Sequence, residues 1–180
     1  KKEIEKVIKK YLTTNNQSAI TNNYFLYVGA IEPRKNLDIA IKVFKKLINN
    51  CHPEFISRCQ KKEMPKQVRH DKKRGHPELI SESKSVILNS FQDLYFIVIG
   101  KAGWKNEKIF QLVKDLKLED KVLFLGYVKD KDLPYFYSGA KLTFYLSSYE
   151  GFGLPPLESL TCGTPVIAGN NSSMKETLPK

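Results

Sequence analysis

Five short apolar runs recur along this chain with helix-periodic segments between them. That alternation restricts the fold more than any other feature. The runs are YFLYVG (24–29), LYFIVIG (94–100), KVLFLGYV (121–128), KLTFYLS (141–147) and PVIAG (165–169). Each has the length and composition of a strand buried on both faces. Between them, LDIAIKVFKKLINN puts Leu37, Ala40, Ile41, Phe44 and Leu47/Ile48 on one helical face. NEKIFQLVKDLKL does the same with Ile109, Leu112, Val113 and Leu116. KDLPYFYSGA reads as a short helix, PPLESLTCG as a helix closed by Gly163, and residues 1–11 as a further helix. Alternating strands and helices imply right-handed crossovers. The expected fold is therefore α/β, a Rossmann-like parallel sheet with helices on both faces. Ligands of such sheets bind at the carboxyl ends of the strands. Two loops, GAIEPRKN and SSYEGFGLPP, leave strands at that end and can meet over one cleft.

The chain has 180 residues, the size of one domain or of half a two-domain enzyme. No apolar run approaches the roughly 18 residues of a membrane span, and the start, KKEIEKVIKKYL, lacks an apolar signal core. An intracellular, soluble protein is expected. Cys51, Cys59 and Cys162 are odd in number and include no CxxC pair, which argues against a disulfide framework and a zinc knuckle. His52, His70 and His76 lack metal-ligand spacing, so neither a metal nor another cofactor is expected. The net charge of +11 suits nucleic acid, anionic lipid or phosphorylated small molecules as partners, or simply a solvated lysine-rich surface.

One segment breaks the rhythm. About forty residues, 51–90, stand where a helix-to-strand connection usually needs a few. The segment has nine Lys/Arg and five acids, a net of +4, and nearly repeats itself as HPEFIS at 52 and HPELIS at 76. It resembles peptides encoded by small palindromic mobile elements that insert in frame into bacterial genes. A flexible basic excursion on the surface is expected. A nucleic-acid arm is the less favoured reading, because no aromatics are interleaved for base stacking. The organisation expected is a helix and linker over 1–23, followed by one domain over 24–180.

The chemistry concentrates in the two loops. Arg34 and Lys35 precede a helix whose expected N-cap is Asn36. Cations there oppose the macrodipole, which makes sense if an anion docks between them. Helix amides, a guanidinium fork and an ammonium would suit a diphosphate. The alternative is that both side chains swing into solvent. In SSYEGFGLPPLESLTCG, Glu150 precedes the helix, and Pro155–Pro156 place Glu158 inside its first turn. Gly151 and Gly153 let the backbone approach a ligand and offer amides as an anion nest. Acid, bare amides, acid matches sugar hydroxyls, diphosphate and ribose hydroxyls. A glycosidase pair, with carboxylates about 5 Å or about 6.5–9.5 Å apart, is not excluded by the spacing, but has no use for phosphate-binding neighbours. DKD at 130–132, the one acidic cluster that could suggest a metal, reads as a solvated turn.

YVGAIEPRKNLDIAIKVFKKL, GYVKDKDLPYFYSGA and SSYEGFGLPPLESLTCGTPVI together resemble the C-terminal, donor-binding half of retaining GT-B glycosyltransferases of family 4, the glycosyl transferases group 1. The two glutamates fit that family's E-x7-E motif. The resemblance covers residues 24–50 and 92–176, and GKAGWKNEKI is similar to its mannosyltransferase-like branch. Leu146 and Lys175 stand where the family commonly has proline.

The resemblance implies a role for each matching residue. Arg34 and Lys35 would bind the donor diphosphate and neutralise the departing nucleoside diphosphate. Glu150 would hold the donor sugar's hydroxyls, and Glu158 the ribose hydroxyls. The backbone at Phe152, Gly153 and Leu154 would contact sugar and phosphate, with Gly29 giving close approach beneath the donor. The implied reaction is retaining transfer of a hexose from a nucleotide sugar to a cell-envelope glycan or lipid-linked acceptor, without a required metal. It would take place in the cytoplasm at the inner face of the membrane, with peripheral membrane contact. The resemblance also implies an N-terminal, acceptor-binding half, so the chain is expected to be truncated and inactive alone. A non-catalytic remnant that binds nucleotide sugar weakly, and a basic module for nucleic acid or membrane, are the competing expectations.

Overall fold

In the computed structural model, residues 2–12, 23–50, 94–170 and 173–177 are described. The elements are α1 (Lys2–Tyr11), β1 (Tyr24–Val28), a 3-10 turn (Pro33–Lys35), α2 (Leu37–Asn50), β2 (Tyr95–Ile99), α3 (Glu107–Asp115), β3 (Val122–Gly126), α4 (Leu133–Gly139), β4 (Leu142–Tyr145), α5 (Leu154–Thr161), β5 (Val166–Ala168) and α6 (Met174–Thr177). All five expected strands are present. They form one parallel sheet in the order β3-β2-β1-β4-β5. The linker at 13–22 and the basic segment at 51–90 lie outside the described residues.

The strands form where β-branched and aromatic side chains pack both above and below the sheet. Phe25, Tyr27, Phe96, Val98 and Phe144 point to the side covered by α2 and α3, which contribute Leu37, Ile41, Phe44, Ile109 and Val113. On that side Phe25 and Phe96 both meet Phe144 edge to face, with ring centres 5.5 and 5.7 Å apart. Tyr24, Leu26, Tyr95, Ile97 and Ile99 point the other way, onto Ile8 and Leu12 at α1 and onto Phe136 and Tyr137 of α4. A helix therefore covers each face, as the alternation requires.

Close backbone approach aligns the strand ends. Gly29 N–H donates to the Ile99 carbonyl at 2.9 Å, and Gly100 N–H to the Gly126 carbonyl at 2.8 Å. Gly100 has φ +143, and a Cβ there would lie 2.0 Å from the Gly29 carbonyl oxygen, so only glycine fits.

The DKD turn differs from its expected, solvated form. Asp132 is buried, accepting from Tyr11 Oη at 2.6 Å and from Lys10 Nζ at 3.1 Å. The Tyr11 hydrogen bond comes first among the causes that hold its carboxyl below the usual range, with Lys10 assisting against burial. The pair ties α1 to the start of α4. The sequence could not show this, because the partners are about 120 positions apart.

Candidate functional site

β1 and β4 are neighbours, yet the chain leaves β1 towards β2 on one side and returns to β4 on the other. A crevice opens at such a reversal. Both motif loops start there. After β1 the chain tightens into the Pro33–Lys35 turn, with Lys35 N–H donating to the Glu32 carbonyl and Asn36 N–H to that of Pro33, both at 3.1 Å. The Arg34 carbonyl then receives Ser148 N–H at 2.8 Å, Ser148 Oγ at 3.0 Å and Ser147 Oγ at 3.3 Å. Asn36, in the left-handed region at φ 51, sends its side-chain amide to the Leu146 carbonyl at 2.9 Å. The expected capping residue thus ties the two loops together, while its carbonyl starts α2 by accepting from Ile39 N–H at 3.1 Å.

The two cations separate. Arg34 is half exposed, and its Nε meets Glu32 Oε2 at 2.8 Å. That contact raises the guanidinium's pKa above its ordinary value. Lys35 is buried, and its ammonium is paired with the Glu150 carboxylate. The same Nζ lies 5.5 Å from the centre of the Tyr145 ring. Burial pushes the Glu150 carboxyl upward. Hydrogen bonds from Lys35, Ser147 and Tyr145, together with the Lys35 charge, outweigh it, and the group sits below its ordinary value. Two cations thus face two carboxylates, Glu32 and Glu150.

Glu150 and Glu158 serve different places. Helix α5 starts at Leu154, with Gly153 as its N-cap in the left-handed region at φ 83. Glu158 is therefore the fifth helical residue and not part of the first turn. The proline pair indicates a helix start but not whether one more residue precedes it. Gly153 is buried, and a Cβ there would lie 1.9 Å from Met174 Cε. Phe152 and Leu154 stand out at its sides, each 58% exposed. Glu158 lies on the exposed side of α5 and accepts from Tyr137 Oη at 2.9 Å. Both residues line an open groove of about 660 Å3 between α4 and α5, with Leu133, Pro134, Leu157 and Cys162 as its apolar walls.

Gly29 closes β1 at φ +151, with the Tyr27 hydroxyl 3.4 Å from where a Cβ would stand. Arg34, Lys35 and Glu150 are thus brought together at the strand reversal. Glu158 lies at the adjoining groove, and Phe152, Gly153 and Leu154 join the two. Glu32, Tyr145, Ser147 and Tyr137 are additional parts of the site. Tyr145 ends a strand apolar on both faces and Ser147 follows two residues later, where no alternation marks which side chains reach a cleft. Tyr137 reads as an ordinary helix position. Among the described residues, no three His, Cys, Asp or Glu side chains gather into a metal-sized cluster.

Fold and site together define a parallel α/β domain with a charged crevice at the strand reversal and an apolar groove beside it. The profile of the glycosyl transferases group 1 family matches residues 59–179, and the chain belongs to that family. Its sequence is 32% identical over 155 residues to the Escherichia coli O-antigen chain mannosyltransferase B, covering 86% of this chain and 30% of that protein. It is 30% identical over 178 residues to the Salmonella typhimurium O-antigen chain mannosyltransferase RfbU, covering 97% of this chain and 38% of that protein. The chain thus spans about a third of the length of these relatives. Its fold is similar to that of Anabaena HepE, crystallised with UDP and glucose, at a TM-score of 0.64 and 18% identity, over 99% of this chain and 36% of that one.

Proposed function

We propose that this chain is the nucleotide-sugar-binding part of a hexosyltransferase. The observation that carries the reading is the pairing of Lys35 with Glu150 beside a groove that presents Glu158. A cation suited to phosphate and a carboxylate suited to hydroxyls at the strand reversal, with a second carboxylate at the adjoining groove, support the reading. The groove takes the nucleoside, with its apolar walls against the base and Glu158 on the ribose. Arg34 turns from Glu32 to the diphosphate, joined by Lys35. Glu150 faces the sugar's hydroxyls, with the backbone of Phe152, Gly153 and Leu154 beside it and Gly29 below. In the reaction, Arg34 and Lys35 stabilise the charge that gathers on the departing nucleoside diphosphate.

The similarity to two O-antigen mannosyltransferases supports a mannosyltransferase-like reaction on a cell-envelope glycan or lipid-linked acceptor, with retention. Because those relatives are about three times as long, acceptor binding is assigned to polypeptide outside the matched portion, in the same protein or in a separate N-terminal half. Action at the cytoplasmic face of the membrane, through peripheral contact, fits such acceptors. Among the described residues, no helix is long and apolar enough to cross a membrane.

Calorimetric titration of the chain with UDP, GDP, ADP and their sugar conjugates tests the reading. One nucleotide should bind saturably. Arg34→Ala should weaken it at least about tenfold, the scale of a lost charge-assisted contact, and Glu158→Ala should do likewise. A folded chain that binds none of them would overturn the reading.

A further inference from the structure

Tyr137 has no place in the donor site as assembled from the motifs, yet it is 1% exposed and holds Glu158. Its hydroxyl is set at 2.9 Å from Glu158 Oε2, across the groove from α4 to α5. Burial first, and then the hydrogen bond to Glu158, push the phenol's pKa upward, so the hydroxyl stays a donor at any physiological pH. Both ends of this bridge are braced by one buried polar network. Thr164 Oγ1 donates to the Tyr137 carbonyl at 2.6 Å. Ser159, the residue after Glu158, places its Oγ 2.8 Å from Thr143 Oγ1 and 3.1 Å from the Thr164 carbonyl. β4, α4 and α5 are thereby locked in one arrangement. A surface glutamate ordinarily samples several rotamers, and fixing one costs side-chain entropy. Here that cost is met on folding.

We propose that Tyr137 is a positioning residue that engages one oxygen of the Glu158 carboxylate and leaves the other for vicinal hydroxyls, so setting a preference for ribose over 2′-deoxyribose nucleotides. The inference rests on the donor-site reading above. A carboxylate oxygen held at a fixed place can accept from a 2′-hydroxyl whose absence leaves that oxygen unpaired.

A double-mutant cycle decides it. Tyr137→Phe, Glu158→Ala and the double variant are titrated with UDP, GDP and ADP and with their 2′-deoxy counterparts. Wild type should favour the ribose form. Tyr137→Phe keeps the buried ring and should lower the ribose-to-deoxyribose ratio about five- to tenfold, the scale of one hydrogen bond to a charged group. It should have no further effect on the ratio in the Glu158→Ala background. Glu158→Gln, at an exposed position that tolerates the change, should lose the preference too. Equal weakening of both sugars by Tyr137→Phe, or an undiminished effect beside Glu158→Ala, would overturn the inference while leaving the donor site standing. Failure of wild type to bind any of these nucleotides would overturn the donor-site reading and this inference with it.

Discussion

At the scale of single residues, the most consequential contact is Lys35 with Glu150. Their side chains are 9% and 11% exposed, so neither charge can turn to bulk water without its partner. Glu150→Gln leaves the ammonium buried against a neutral amide and should cost about 2 kcal/mol at neutral pH, measured by urea unfolding. The sign with pH follows from the depressed carboxyl. Ionised Glu150 is favoured more in the folded than in the unfolded chain, so its contribution is present above the ordinary value of 4.5 and fades as pH falls below it. The gap between wild type and Glu150→Gln should therefore narrow from about pH 5 to about pH 3. A gap that widens on acidification would contradict the pairing. Arg34 is the opposite case. Half exposed and paired at the surface, it should change stability by less than about 1 kcal/mol when replaced by alanine, whatever that does to binding.

At the scale of elements, the strand ends decide where the loops can go. The Gly29–Gly100 contact leaves no room for a Cβ, since the atom it would meet is backbone and cannot move aside. Gly100→Ala should destabilise by at least about 3 kcal/mol or prevent folding, as read by circular dichroism and thermal melts. Gly153→Ala meets the tip of a methionine side chain, which can shift, so its cost should be about 1–2 kcal/mol, chiefly from the left-handed backbone. The five strands and the helices between them were legible in the sequence because a doubly covered sheet writes itself as apolar runs and helical stripes. What each residue of those runs faces was not. Tyr145 and Tyr137 look like core residues and are core residues, yet each also offers a group to the site. Glu158 was legible as an acid of the helix after the loop, but its place on α5 was displaced by the unforeseen N-cap at Gly153. Lys35 was expected either to flank an anion with Arg34 or to swing into solvent. It is bound to the other loop's glutamate, a pairing across 115 positions that no local pattern encodes.

At the scale of the whole molecule, the strand order places the reversal between β1 and β4, and both motif loops converge on it. The charge of +11 belongs to the chain at large. The crevice itself matches two cations with two carboxylates, and an arriving diphosphate would change that balance. A basic module acting through the 51–90 segment would leave this crevice idle. Amide chemical-shift mapping by NMR separates the two accounts in one experiment. The chain, labelled with nitrogen-15, is titrated with the nucleotide that calorimetry selects and with its sugar conjugate. Saturable shifts are expected at Gly29, Lys35, Gly153 and Glu158, with the conjugate adding shifts around Glu150. Shifts confined to 51–90 and abolished by salt, with the crevice amides unmoved, would contradict it.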